Sequence, residues 1–184
     1  MPVCRSPHSI NVYLAGAIEY APDGGRTWRR ELGRFLRKEL GHNLFDPTSE
    51  EWNLLSDEEK RHFRQWKTTD IERFRSVIRR IINHDLDHLL HHTHYVICFW
   101  DEHVRNGGGT HGELTLAYLH HIPVYMVLGV PQKDISSWIL GCATEVFPDF
   151  EALKTYLRAH YPPAGKISPP SSAHDRESDG GPRR

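Results

Sequence analysis

The spacing of hydrophobic positions along the chain changes period several times, and each change predicts an element. Ile10 to Gly16 (INVYLAG) is a short apolar run that closes on glycine and predicts a first strand. From Arg26 to Leu40, Trp28, Leu32, Phe35, Leu36 and Leu40 recur at helical spacing, and Gly41 supplies the stop. Asn43 to Phe45 is a brief second strand, broken by Asp46-Pro47. Ser56 ahead of Asp57 and Glu58 marks a helix start. Thr69 to His92 is the longest periodic segment, with Ile71, Phe74, Ile78, Ile82 and Leu89 on one stripe. Tyr95 to Trp100 (YVICFW) is continuously apolar, as strands buried on both faces are. Thr110 to His121 predicts a helix, Pro123 to Leu128 a fourth strand, Thr144 to Phe147 a short fifth, and Asp149 to His160 a last helix.

Alternation of strand and helix predicts an α/β fold of the Rossmann type, a mostly parallel sheet of about five strands with helices on both faces. The predicted domain runs over residues 8–161. From Pro162 onward proline, serine, glycine and charge take over and no apolar period survives, so 162–184 reads as a disordered C-terminal tail.

Composition narrows the function classes. The 184 residues are 38% apolar and 26% charged, with a formal net charge of −1, so no long-range field favours a nucleic-acid polymer. Cys4, Cys98 and Cys142 form no CxxC pair, and an odd, sparse set fits a reducing cytosol better than a disulfide framework. The N-terminus MPVCRSPHSI lacks the basic-then-apolar run of a signal peptide, and no apolar stretch approaches the ~20 residues that span a bilayer. A cytoplasmic location and no membrane partner are the expectations.

In open α/β sheets ligands bind beyond the carboxyl ends of the strands. Those predicted ends carry Ala15-Gly16, Asp46-Pro47, Asp101 and Gly129, although turns favour glycine and aspartate anyway. NGGGTHGELTLAY says more. Gly107, Gly108 and Gly109 let backbone approach a ligand, and the helix that follows from Thr110 points free N–H groups at it. Glu113 then falls in the first helical turn, where the macrodipole favours an ionised carboxylate. Beside a ligand crevice such a group suits attack on an anomeric carbon. The competing reading is a capping box, since Thr110-His111-Gly112-Glu113 matches T-x-x-E. Asp85 falls within the apolar stripe of the long helix and needs either a structural partner or a polar site, whereas Asp87 lies on the solvated face. Tyr13 sits inside the first strand and reads as core on pattern alone. Trp28 and Arg29 read as a core anchor beside a surface charge.

Taken together and in order, Tyr13-Leu14-Ala15-Gly16, Asp85-Leu86 and Gly109-Thr110-His111-Gly112-Glu113-Leu114 with Ala117 resemble the nucleoside 2-deoxyribosyltransferase family over about residues 10 to 128. Trp28-Arg29 and Asp46-Pro47 are similar to less-studied branches of that group. The resemblance implies a flavodoxin-like sheet, Glu113 as nucleophile, Tyr13 orienting it, and Asp85 near the base. Gly16, Asp46, Asp101, Gly108, Gly109 and Thr110 then become the candidate substrate-binding residues. It also implies self-association that completes each pocket. Two positions depart from the pattern: Gly107 stands where well-studied transferases hold the sugar hydroxyls with an aspartate, and His94 replaces an aspartate ahead of the third strand. Related nucleotide N-glycosidases share the glutamate and use small residues near it to admit a phosphate.

The expected chemistry is cleavage or exchange of the N-glycosidic bond of a (deoxy)nucleoside through a covalent glycosyl-glutamate, with no cofactor and no metal. A nucleoside 5′-monophosphate N-glycosidase and a non-catalytic nucleotide sensor are the alternatives. A further rival is a metal site on the histidines, since His84/His88 and His88/His92 stand four apart, but no HExxH accompanies them. A solvated histidine-rich helix face is the expectation there.

Overall fold

The computed structural model describes residues 10–162, so Cys4 and nearly all of the predicted tail lie outside the described residues. In chain order the elements are β1 (Asn11–Gly16), α1 (Arg26–Phe35), β2 (Asn43–Phe45), α2 (Pro47–Leu54), α3 (Asp57–His62), α4 (Trp66–Thr69), α5 (Ile71–His92), β3 (Tyr95–Trp100), α6 (Gly108–Leu119), β4 (Val124–Leu128), α7 (Ser137–Cys142), β5 (Glu145–Phe147) and α8 (Phe150–His160). The five strands form one sheet in the order β2-β1-β3-β4-β5, and every pairing is parallel. This is the flavodoxin-like order, and it confirms the α/β expectation.

Successive strand residues point to opposite faces, and the chain fills both. Val12 and Leu14 of β1, with Tyr95 and Ile97 of β3, pack under Leu32 and Phe35 of α1 and Leu153 and Leu157 of α8. Tyr13 and Ala15, with Val96, Cys98 and Trp100, pack under Leu89 of α5, Leu114 and Ala117 of α6, and Ile139 of α7. β1 and β3 pair with Tyr13 opposite Val96 and Gly16 opposite Phe99. The chain leaves these two strands toward opposite faces, so their carboxyl ends frame the crevice at which ligands bind in such sheets.

Two features differ from expectation, the form of the first helix's last turn and the buried face of α5. The first helix continues from Phe35 as a π-helical turn, Leu36–Leu40, and ends where Gly41 takes a left-handed φ of 70°. The stripe on α5 is offset: Val77, Ile81 and Leu89 are buried, whereas Ile71 and Ile82 are 45% and 46% exposed. Residues 47–69 form a helical excursion, where Leu55, Phe63 and Trp66 pack on Val77 and Ile81 in a third apolar cluster. Ser56 and Glu59 close a capping box at the start of α3, as the sequence predicts at Ser56. Among the described residues, no helix is long and apolar enough to cross a membrane.

Candidate active site

At the carboxyl ends of β1 and β3 lies a cavity of about 520 Å³. Its walls come from the β1–α1 loop at Gly16, the N-terminal half of α6, the middle of α5, and the excursion at Glu51 and Phe63. Glu113 and Asp85 both line it.

Tyr13 is fully buried in β1, and its hydroxyl donates a 2.8 Å hydrogen bond to Oε1 of Glu113. The ring stacks on Phe45 with centroids 5.1 Å apart, which fixes the direction of the hydroxyl. Burial raises the Tyr13 pKa well above its usual value, and the Glu113 carboxylate raises it further, so the phenol keeps its proton and acts as a donor. Glu113 is pulled in two directions. Burial raises its carboxyl above the usual range, while the Tyr13 hydrogen bond and the Arg29 guanidinium lower it.

The capping-box reading of Glu113 fails on the helix boundary. α6 starts at Gly108, with Gly107 as its N-cap and no side-chain cap bond, so Thr110 is already inside the helix. Glu113 therefore sits in the second turn, not the first, and its carboxylate turns to Tyr13. Thr110 is buried and lines the cavity, as do Gly16, Gly108 and Gly109. A Cβ placed on Gly108, Gly109 or Gly112 would meet nothing within 4 Å, so these glycines leave open room in the cavity. The first-turn N–H groups of α6, which lack intrahelical partners, belong to the same wall.

Asp85 projects from α5 into this cavity, and its Oδ1 is buried with no hydrogen-bond partner among the described residues. Burial first, then the carboxylates of Glu113, Glu51 and Glu50, push its pKa up to about 8. A carboxyl held protonated near neutrality beside a second carboxyl is an arrangement able to offer a general acid and a nucleophile in one cavity.

The structure places the other two predicted aspartates elsewhere. Asp46 caps α2, accepting from the Thr48 N–H at 3.0 Å and its hydroxyl at 2.8 Å, and lies 3.6 Å from Nε of Arg29. Asp101 accepts from the N–H groups of His103 and Val104 at 3.0 and 3.2 Å, bracing the turn that leads to the glycine run. Neither lines the cavity.

Arg29, expected at the surface, is 1% exposed, with its guanidinium turned in to the end of β1. Glu51, Glu19 and Arg64 line the cavity without having been foreseen. Arg64 reaches Glu51 at 3.2 Å and Glu19 at 3.6 Å, and Lys67 donates to Glu19 at 2.5 Å, which ties the excursion to the β1–α1 loop. These residues sit in a polar stretch with no period to mark which side faces a ligand. The histidine face is less solvated than expected. The ring of His88 stacks on Phe45 at 4.0 Å, and burial lowers its pKa. Among the described residues, no group of three or more His, Cys, Asp or Glu is placed to hold a metal ion.

A solved structure of a 2-deoxyribosyltransferase from the psychrotolerant bacterium Bacillus psychrosaccharolyticus matches with a TM-score of 0.58 and 22% identity, over 83% of this chain and 96% of that one. The fold is shared with a 2-deoxyribosyltransferase. No family model and no curated protein matches the sequence.

Proposed function

We propose that the protein cleaves or exchanges the N-glycosidic bond of a (deoxy)nucleoside, with Glu113 as nucleophile. The carrying observation is the 2.8 Å bond from buried Tyr13 to Glu113, whose residue lines the same cavity as Asp85 with its unpartnered Oδ1. The shared fold with a 2-deoxyribosyltransferase supports the same reading.

In the first step a Glu113 oxygen forms a bond to C1′ as the bond from C1′ to the base nitrogen breaks, through an oxocarbenium-like transition state. Tyr13 holds the carboxylate in place through the hydroxyl bond. Asp85 gives its proton to the departing base, which leaves neutral. In the second step an acceptor attacks C1′, the ester bond to Glu113 breaks, and Asp85 takes the acceptor's proton. A nucleobase acceptor makes the protein a transferase, and water makes it a hydrolase.

A nucleoside 5′-monophosphate is the second substrate reading. It is favoured by the open wall at Gly108 and Gly109, where a helix N-terminus with free N–H groups suits a phosphate. Incubation with nucleosides and with their monophosphates, with and without a second base, separates the readings by chromatography of free and exchanged base. Absence of both products over the whole panel overturns the proposal.

A further inference from the structure

Arg29 is a buried cation with no counterpart in the chemistry above. Its Nε donates to the carbonyl of Leu14 at 3.3 Å, Nη1 to those of Gly25 at 2.8 Å and Ala17 at 3.2 Å, and Nη2 to that of Gly16 at 2.9 Å. One side chain thus gathers the last residues of β1 and both ends of the turn into α1. Glycine makes the room: a Cβ on Gly25 would lie 2.2 Å from Nη1.

Backbone carbonyls can be held by a neutral amide, so the charge itself needs a reason. Stripping a guanidinium of water costs several kcal/mol unless an anion answers it. Asp46 answers it in part, at 3.6 Å, but that carboxylate is also committed to Thr48. The guanidinium sits on the Leu14 and Gly16 carbonyls, at the end of the strand whose Tyr13 hydroxyl bonds Glu113, and there it favours the ionised form of that carboxyl. The titratable and charged groups that act on Glu113 or are acted on by it are Tyr13 of β1, bonded to it, Asp85 of α5, in the same cavity, and Arg29 of α1 and Cys98 of β3 through their charge. Tyr13 and Cys98 are held neutral by burial, and Asp85 adds negative charge only once it loses its proton. Arg29 supplies the positive charge in that set.

We propose that Arg29 is a positioning residue, pinning the β1–α1 turn that walls the cavity and setting a fixed positive charge behind the Tyr13–Glu113 pair. The role in turnover rests on reading Glu113 as the nucleophile; the electrostatic role does not.

The test follows the Glu113 side-chain carboxyl by carbon NMR across pH, its resonance assigned by loss in Glu113→Gln, in the full chain. Arg29→Gln is expected to raise the Glu113 titration midpoint by about half a pH unit or more. Arg29→Lys, which keeps the charge, leaves it near wild type. Asp46→Asn moves the midpoint the other way, because the counter-charge is lost while asparagine still caps α2. The acidic limb of kcat/KM for base release should move with the carboxyl in each variant. An unchanged midpoint in Arg29→Gln overturns the proposal. If Arg29→Gln does not fold, citrulline at position 29, the neutral isostere, decides in its place: a midpoint equal to wild type overturns the proposal and a raised one supports it. Should wild type release no base from any substrate, the reaction reading fails while the NMR midpoints still decide Arg29.

Discussion

The Tyr13 hydroxyl and the Glu113 carboxylate lie 100 residues apart in sequence and 2.8 Å apart in space. β1 carries one and α6 the other, and the two meet because β1 and β3 are neighbours whose crossovers depart to opposite faces.

Removing that hydroxyl should separate chemistry from folding. Tyr13→Phe keeps the ring stacked on Phe45 and takes away one charge-assisted donor to the carboxylate. A hydrogen bond to a charged group is worth about 1.5–3 kcal/mol, so kcat should fall about 10- to 100-fold while Tm stays within a few degrees. Because the hydroxyl bond lowers the Glu113 pKa, its loss should also move the acidic limb of the rate profile upward. Wild-type kcat in Tyr13→Phe would show that the bond serves packing alone.

Asp85 makes opposite demands on stability and activity. Its folded pKa of about 8 lies above its unfolded value, so the native state keeps a proton that the unfolded chain gives up. Wild-type stability from this group is full below the unfolded pKa and declines as pH rises toward about 8. Asp85→Asn lacks that dependence. Its Tm should therefore gain on wild type as pH rises from about 5 to about 8, while turnover falls at least about tenfold. Parallel Tm curves with unchanged turnover would assign Asp85 to a structural role.

Glycines at two ends of the site should behave differently. Gly25 has a φ of 72°, and a Cβ there would lie 2.2 Å from the Ala17 carbonyl oxygen and from Nη1 of Arg29. Gly25→Ala should cost about 2 kcal/mol or more, from the left-handed backbone and the displaced guanidinium. Gly108→Ala meets nothing within 4 Å, so it should leave Tm unchanged or slightly higher and raise KM by narrowing the cavity. Equal Tm values for the two variants would contradict this account of the turn.

Much of this site could be read in the sequence, for identifiable reasons. Strand runs such as YVICFW and the glycine stop at Gly41 are local signals, and both hold. Asp85 was conspicuous because a carboxylate on an apolar stripe needs an explanation, and it faces the cavity. Arg29 reads as a surface charge because nothing local tells a helix arginine beside a tryptophan that the Leu14, Gly16 and Ala17 carbonyls at the end of β1 await it. Asp46 and Asp101 read as ligand contacts from their place after strands, yet each commits its Oδ1 to a local turn and neither lines the cavity. Glu51 and Arg64 depend on how the excursion at 47–69 folds over α5, which no period in that stretch specifies.

Glu113→Gln is the sharpest test of the proposed chemistry. Glutamine keeps the size of the side chain and can still accept the Tyr13 hydroxyl bond through its amide oxygen, so Tm should hold. An amide cannot form the glycosyl ester, so base release or exchange should fall by orders of magnitude. A 2-fluoro nucleoside analogue should add a covalent mass to wild type and none to the variant. Its fluorine destabilises the oxocarbenium-like transition states, and the intermediate accumulates when breakdown is slowed more than formation. Full activity in Glu113→Gln would remove the nucleophile from the scheme and pass the role to Asp85, the other carboxyl that α5 and α6 bring to the same cavity.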